Sequence, residues 1–212
     1  MIATTLNIPL TGFERMELGE ELAYFPATWE EFLDVWELAE YKIEYQDGNI
    51  IAMGYETNPH GKIITEFIKY MGLFFGGLEF STFSENRPVF SPNYRRRIYC
   101  PDVFVIDEPS ILFEYRKGMN AETTPFFIVE VLSKSTQSHD WNMKLPTYQS
   151  IPTVEQILYL DSRFPAAVLF TRAPGTESGW EEKTFDKPED EIEIRGNKLS
   201  LRQIYRKTRY FD

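Results

Sequence analysis

Between Pro125 and Ser133 the chain reads Pro-Phe-Phe-Ile-Val-Glu-Val-Leu-Ser, a β-prone apolar run broken by one carboxylate, Glu130. A run that is apolar at nearly every position belongs to a strand covered on both faces, so the sheet must have layers packed on each side. Burying an ionised carboxylate alone costs several kcal/mol or more, so Glu130 must be paired, protonated or metal-bound. A second stretch, Cys100-Pro101-Asp102-Val103-Phe104-Val105-Ile106-Asp107, begins with a proline, which cannot donate to a ladder and naturally opens a strand. Alternation sends Asp102, Phe104 and Ile106 to one face and Val103 and Val105 to the other, leaving the acid near the strand mouth. A lone Pro-Asp more often caps a strand end, and a lone buried Glu is often salt-bridged to arginine. Two carboxylates at the ends of interior strands have a joint use, however: hard oxygen ligands suit Mg²⁺ or Mn²⁺.

The remaining pattern supplies elements around these strands. Residues 1–25 lack clear periodicity and read as an N-terminal arm, with residues 26–212 as one domain. Thr28 and Glu31 form a capping box, and Phe32, Val35, Trp36 and Leu38 give the apolar stripe of a helix ending near Glu40. Asp47-Gly48 between the β-prone runs 41–46 and 49–53 predicts a hairpin. Asn58-Pro59 opens a second helix, on which His60, Ile64, Phe67, Ile68, Met71 and Phe75 share a face. Strands are expected over 80–83, 87–90, 98–106, 126–132, 154–160, 166–171 and 191–194. A short helix carries Lys144 and Tyr148, and a last helix, capped by Ser200, covers 199–207. The class is α/β or α+β.

Composition limits the function. No run approaches the ~18 apolar residues of a membrane helix, and Met1-Ile2-Ala3-Thr4-Thr5 has no basic leader, so the sequence reads as a soluble cytoplasmic protein with no membrane partner. One cysteine and two histidines argue against a zinc cage or a disulfide framework. Cys100 reads as a small buried hydrophobe, and His139, beside Asp140 in a polar stretch, is expected to face solvent. With 33 acidic and 22 basic residues the net charge is −11, which opposes nucleic-acid binding, since that affinity comes largely from neutralised phosphates. Yet residues 1–60 hold −10 of it, and residues 61–120 carry +1. Arg95, Arg96 and Arg97 form a basic turn before the Asp102 strand, suited to phosphate contact or simply a solvated tip.

Taken in order, Glu44 with Asp47-Gly48, His60, Pro101-Asp102-Val103, Glu130-Val131-Leu132-Ser133, Asp140, Lys144, Tyr148 and Ile151-Pro152 resemble the Uma2 family of restriction-endonuclease-like, PD-(D/E)xK nuclease superfamily proteins. The resemblance spans roughly residues 28–171. It implies a mixed β-sheet core flanked by helices and a metal-dependent endonuclease acting on DNA. It also implies Asp102 and Glu130 as ligands of Mg²⁺ (or Mn²⁺), Glu44 as a further active-site carboxylate and His60 as a residue lining the site. The superfamily motif expects lysine two residues after the glutamate, where this chain has Leu132. Lys134 and Lys144 are the alternatives. The Uma2 pattern favours Lys144, with Tyr148 one helical turn beyond it and Pro146 required to sit in the first turn. Superfamily members are often dimers, so a homodimer is compatible. Two other readings stay open: a nuclease-like fold kept as a binding or regulatory module, and an enzyme on a small phosphorylated substrate, although no glycine-rich phosphate loop is present.

Overall fold

The run that carries Glu130 lies inside a six-stranded sheet in a computed structural model that describes residues 6–19, 22–55 and 57–211. In chain order the elements are α1 (Gly12–Glu17), β1 (Leu22–Pro26), α2 (Trp29–Leu38), β2 (Ile43–Gln46), β3 (Asn49–Met53), α3 (Asn58–Phe74), β4 (Phe80–Ser84), β5 (Arg97–Ile98) and β6 (Val103–Asp107). Next come β7 (Leu112–Arg116), β8 (Met119–Glu122) and β9 (Pro125–Leu132), then α4 (Gln137–His139), a π-helical turn (Asp140–Lys144) and α5 (Leu145–Gln149). The chain closes with β10 (Gln156–Asp161), β11 (Ala167–Arg172), β12 (Trp180–Phe185), β13 (Glu191–Ile194), β14 (Asn197–Ser200) and α6 (Leu201–Ile204).

The large sheet is ordered β12-β11-β10-β9-β6-β4, parallel between β9 and β10 and antiparallel elsewhere. On one face Phe127, Val129 and Val131 pack with Ile64, Phe67 and Met71 of α3 and with Ile204 of α6. On the other, Ile128, Leu132, Phe104 and Ile106 meet Leu145 and Tyr148 of α5. Period-2 alternation puts Glu130 beside Ile128 and Leu132, and Asp102 beside Phe104 and Ile106. Glu130 therefore looks toward the α4–α5 segment, where Lys144 and Tyr148 meet it. A second, antiparallel sheet, β1-β3-β2-β5, packs Ile43, Tyr45, Ile50 and Ile98 against Phe32, Leu33 and Val35 of α2. That leaves Glu44, between Ile43 and Tyr45, on the opposite face. Asp47 and Gly48 both have positive φ (46° and 99°), the geometry of the tight hairpin the sequence predicts.

Several expectations are corrected. The arm contains a capped helix, α1, and a strand, β1, which pairs with β3; residues 1–5 lie outside the described residues. Asn58 and Pro59 are the first helical positions of α3, and Thr57 is the cap. The expected strand 87–90 is reduced to isolated bridges at Val89. The expected strand 98–106 is split, because Pro101 interrupts pairing where the chain leaves β5 in the small sheet and enters β6 in the large one. The C-terminal helix is a single turn, α6. Strands β7, β8, β12 and β14 add to those the sequence predicts.

Candidate functional site

Asp102 comes just before β6. The ladder pairs Val103 with Val129, so one antiparallel step further sets Asp102 across from Glu130. The Val131 N–H donates to Asp102 Oδ2 (2.7 Å), fixing the carboxylate at the sheet's end. Lys42 Nζ lies 3.3 Å from Asp102 Oδ1, and His60 Nε2 lies 3.4 Å from Oδ2. Asp102 is 5% exposed and Glu130 2%.

Glu130 is gripped from the helical layer. Tyr148 donates its hydroxyl to Glu130 Oε1 (2.6 Å), and Lys144 Nζ reaches the same oxygen at 3.2 Å. Lys144, itself buried, also stands 3.0 Å from Glu44 Oε1 and 3.2 Å from Asp140 Oδ1. The helix opens into a π turn here: the Leu145 N–H reaches back to the Asp140 carbonyl. Pro146 follows, inside the first turn of α5 as required. Proline lacks an N–H and its ring crowds the carbonyl four residues back, so a widened turn ahead of it relieves the conflict. Glu44 Oε1 also accepts the Cys100 N–H (3.1 Å), while Oε2 faces His139 Nε2 at 3.6 Å.

Four acids, Glu44, Asp102, Glu130 and Asp140, face Lys42, Lys144, His60 and His139, all of them buried or mostly so. Burial acts to raise the Asp102 carboxyl, but Lys42, His60 and Lys144 together hold it well below the ordinary range. Glu44 is likewise opposed by burial and brought down to about 2 by Lys144, His139 and Lys42. Glu130 goes the other way: burial, with Asp102 and Asp140 beside it, pushes it up to about 8 against the pull of Lys144 and Lys42. Lys144 stays protonated: burial disfavours its charge, but Glu130, Glu44 and Asp140 more than compensate.

These shifts predict a pH profile. From the ordinary value of 4.5 up to about 8 the folded chain keeps a proton on Glu130 that the unfolded chain has released, so this group's stabilisation falls as pH rises through that window. The Glu44 contribution is full above 4.5 and is lost as pH falls toward 2. In urea denaturation across that range, Glu130→Gln should flatten the decline on the alkaline side. An unchanged slope would refute the raised carboxyl.

Glu44, His60, Asp102, Glu130, Lys144 and Tyr148, all marked by the sequence, come together in one cluster. Lys134 lies instead on the exposed 133–136 turn. Arg97 is tied to Asp47 (Nε to Oδ2, 2.8 Å) and bonds Thr147 Oγ1, while Arg95 and Arg96 are exposed. His139 is buried against Glu44 rather than facing solvent. Lys42, His139 and Asp140 join the cluster without having been singled out as site residues by the sequence. Lys42 shares a strand face with Glu44, two residues on, and Asp140 shares a helix face with Lys144, four on, so both spacings were visible.

The chain matches the family model Uma2, described as "Putative restriction endonuclease", over residues 29–201. Two uncharacterised proteins of Synechocystis sp. are similar. One is 28% identical over 131 residues, covering 62% of this chain and 72% of the relative. The other is 30% identical over 133 residues, covering 63% and 67%. A crystal structure of "a putative nuclease belonging to DUF820" from Anabaena variabilis aligns with a TM-score of 0.64 at 19% identity, covering 85% of this chain and 98% of that one. That likeness establishes the fold, a mixed α+β nuclease-like architecture. With its family model running from the first turn of α2 to the start of α6, the chain belongs to the Uma2 family of restriction-endonuclease-like proteins.

Proposed function

We propose that this protein is a divalent-metal-dependent endonuclease that hydrolyses DNA phosphodiester bonds beside Asp102 and Glu130. The observation carrying this reading is the pairing of two buried carboxyls, Asp102 and Glu130, side by side at the ends of adjacent interior strands with Lys144 and Lys42 beside them. Such a cluster fits a divalent cation. Among the described residues no three Asp, Glu, His or Cys side chains converge into a ready cage. Mg²⁺ does not need one, since it usually takes one or two carboxylates and keeps its waters. Asp102 and Glu130 would hold Mg²⁺ or Mn²⁺, which when bound polarises a phosphoryl oxygen and acidifies an attacking water.

The chain's own groups do the rest. Val131 N–H and Tyr148 hydroxyl fix the two carboxylates, so no reorganisation is needed at the moment of reaction. Lys144, held charged by the acids around it, would offset the negative charge that grows on the phosphate. A charge ~4 Å away is worth about 1 kcal/mol in water and several-fold more at a sheltered site. Glu44, backed by His139, keeps Lys144 protonated and in place. Arg95 and Arg96 supply exposed phosphate contacts.

The test is incubation of supercoiled plasmid and of circular single-stranded DNA at low salt with Mg²⁺ or Mn²⁺. Nicked or shortened products, absent with EDTA, are expected. One feature favours the second reading, a binding module without catalysis: Leu132 stands where the superfamily motif has its lysine. Absence of cleavage with either metal would select it.

A further inference from the structure

Three cavities share lining residues in series. The smallest, about 60 Å³, is lined by Asp102, His60, Lys42, Tyr55, Ser133 and Thr136. It shares Lys42, Gly54 and Tyr55 with a groove of about 580 Å³ running past Tyr41 to Trp36 and Asn86. Trp36 and Asn86 in turn border a third hollow, about 270 Å³, reaching Arg87 and Asn120. These shared walls set the hollows in a line from Asp102 to the C-terminal end of α2.

The line is aromatic and poor in cations. Tyr55 is 62% exposed, and its hydroxyl donates to the Gly12 carbonyl (3.1 Å), which holds the ring in place. Trp36 stacks on Phe32 (5.3 Å between centroids) and is half-buried along the groove. Glu40 and Glu85 also line it, and Lys42 is the cation nearest Asp102 along it. Arg87, at the far end, is committed to Glu122 and Asn120. One wall comes from residues 1–60, which carry −10. B-DNA duplex presents one charge per ~1.7 Å of axis and depends on neutralised phosphates. A single strand has about half that charge density and can bind through base–aromatic stacking instead. Between the aromatics, the Glu85–Asn86 turn is strapped to the site: Glu85, at φ 49°, donates its N–H to the Pro101 and Asp102 carbonyls. A non-glycine residue held there is uncommon and clusters at functional sites. It sets Asn86, whose amide is both donor and acceptor, on the groove wall.

We infer that this groove takes one unpaired DNA strand and delivers its phosphate to Asp102, with bases stacked on Tyr55 and Trp36 and Lys42 meeting the backbone. The inference rests on the nuclease reading for its purpose but is tested without hydrolysis. Fluorescence anisotropy in EDTA at low salt would compare labelled oligo(dT) with a duplex of equal length, using the full chain. The single strand should bind at least about tenfold tighter. Tyr55→Ala should lose about tenfold in affinity for it, the scale of one stacked base, and Tyr55→Phe should regain most of that. Tyr55 is exposed, so the variants should keep the wild-type circular dichroism. Equal or tighter duplex binding, or wild-type affinity in Tyr55→Ala, would overturn the groove assignment. Plasmid cleavage without strand preference would remove the groove and leave the nuclease. Strand binding with no cleavage in metal would remove the nuclease and leave the groove.

Discussion

Asp102→Asn should lower DNA cleavage by about a thousandfold while the protein stays folded. The amide keeps an oxygen to accept the Val131 N–H, so the 2.7 Å bond that closes the end of the sheet survives. What disappears is the negative charge facing Lys42 and His60, and with it one of the two proposed metal ligands. Charge stabilisation by such a centre is worth several kcal/mol, and ~4 kcal/mol corresponds to about a thousandfold in rate. Lys42 loses its partner but has 15% of its side chain exposed and can turn to water, so the melting temperature should move little. Matched cleavage time courses in Mn²⁺, with a thermal melt of each protein, provide the check. Wild-type activity in the variant would show that Asp102 holds nothing the reaction needs.

Lys144→Met should produce the larger loss of stability. The side chain keeps its length and most of its packing, but the charge shared by Glu44, Glu130 and Asp140 is gone. Removing one partner from a buried ionic group costs about 3–5 kcal/mol. The sign of its pH dependence follows. Without Lys144 the Glu44 carboxyl loses the largest charge that lowers it, and Glu130, already raised, goes higher still. The folded variant therefore takes up protons that the unfolded chain does not, and the deficit shrinks as pH falls from 8 toward 5. Urea denaturation of both proteins at the two pH values measures this. A deficit that does not change with pH would mean that lost packing, not stranded charge, is responsible. Lys144→Arg, which keeps the cation, separates a role in the reaction from a role in the fold.

The large sheet is legible in the sequence because Pro125–Leu132 and the Pro101-Asp102 run are apolar on both faces, a pattern that little besides an interior strand produces. The hairpin at Asp47-Gly48 and the capping box at Thr28 are legible for local reasons: each depends on chemistry within four residues. His139 reads as solvent-facing because its neighbours in sequence are polar. Its actual surroundings, Tyr24, Tyr99 and Glu44, lie 40 or more residues away in β1, β2 and the link after β5. Strands β12 and β14 escape for a related reason. Trp180–Phe185 is exposed along most of its length, at the sheet's edge, so it carries little apolar alternation. Asp102 and Glu130 can be marked because burying a carboxylate is costly. The two-sheet cluster around Lys144 cannot, since it depends on how one sheet sits against the other.

That seating has a consequence of its own. Glu44 belongs to the small sheet, Asp102 and Glu130 to the large one, and the Tyr99–Asp102 link, with the Cys100 N–H on Glu44, stitches them. The acids therefore form a seam between the two sheets, and their spacing depends on how the sheets are seated. Loosening β1–β3 far from any carboxylate would blunt the chemistry by letting its halves drift, with no charge altered.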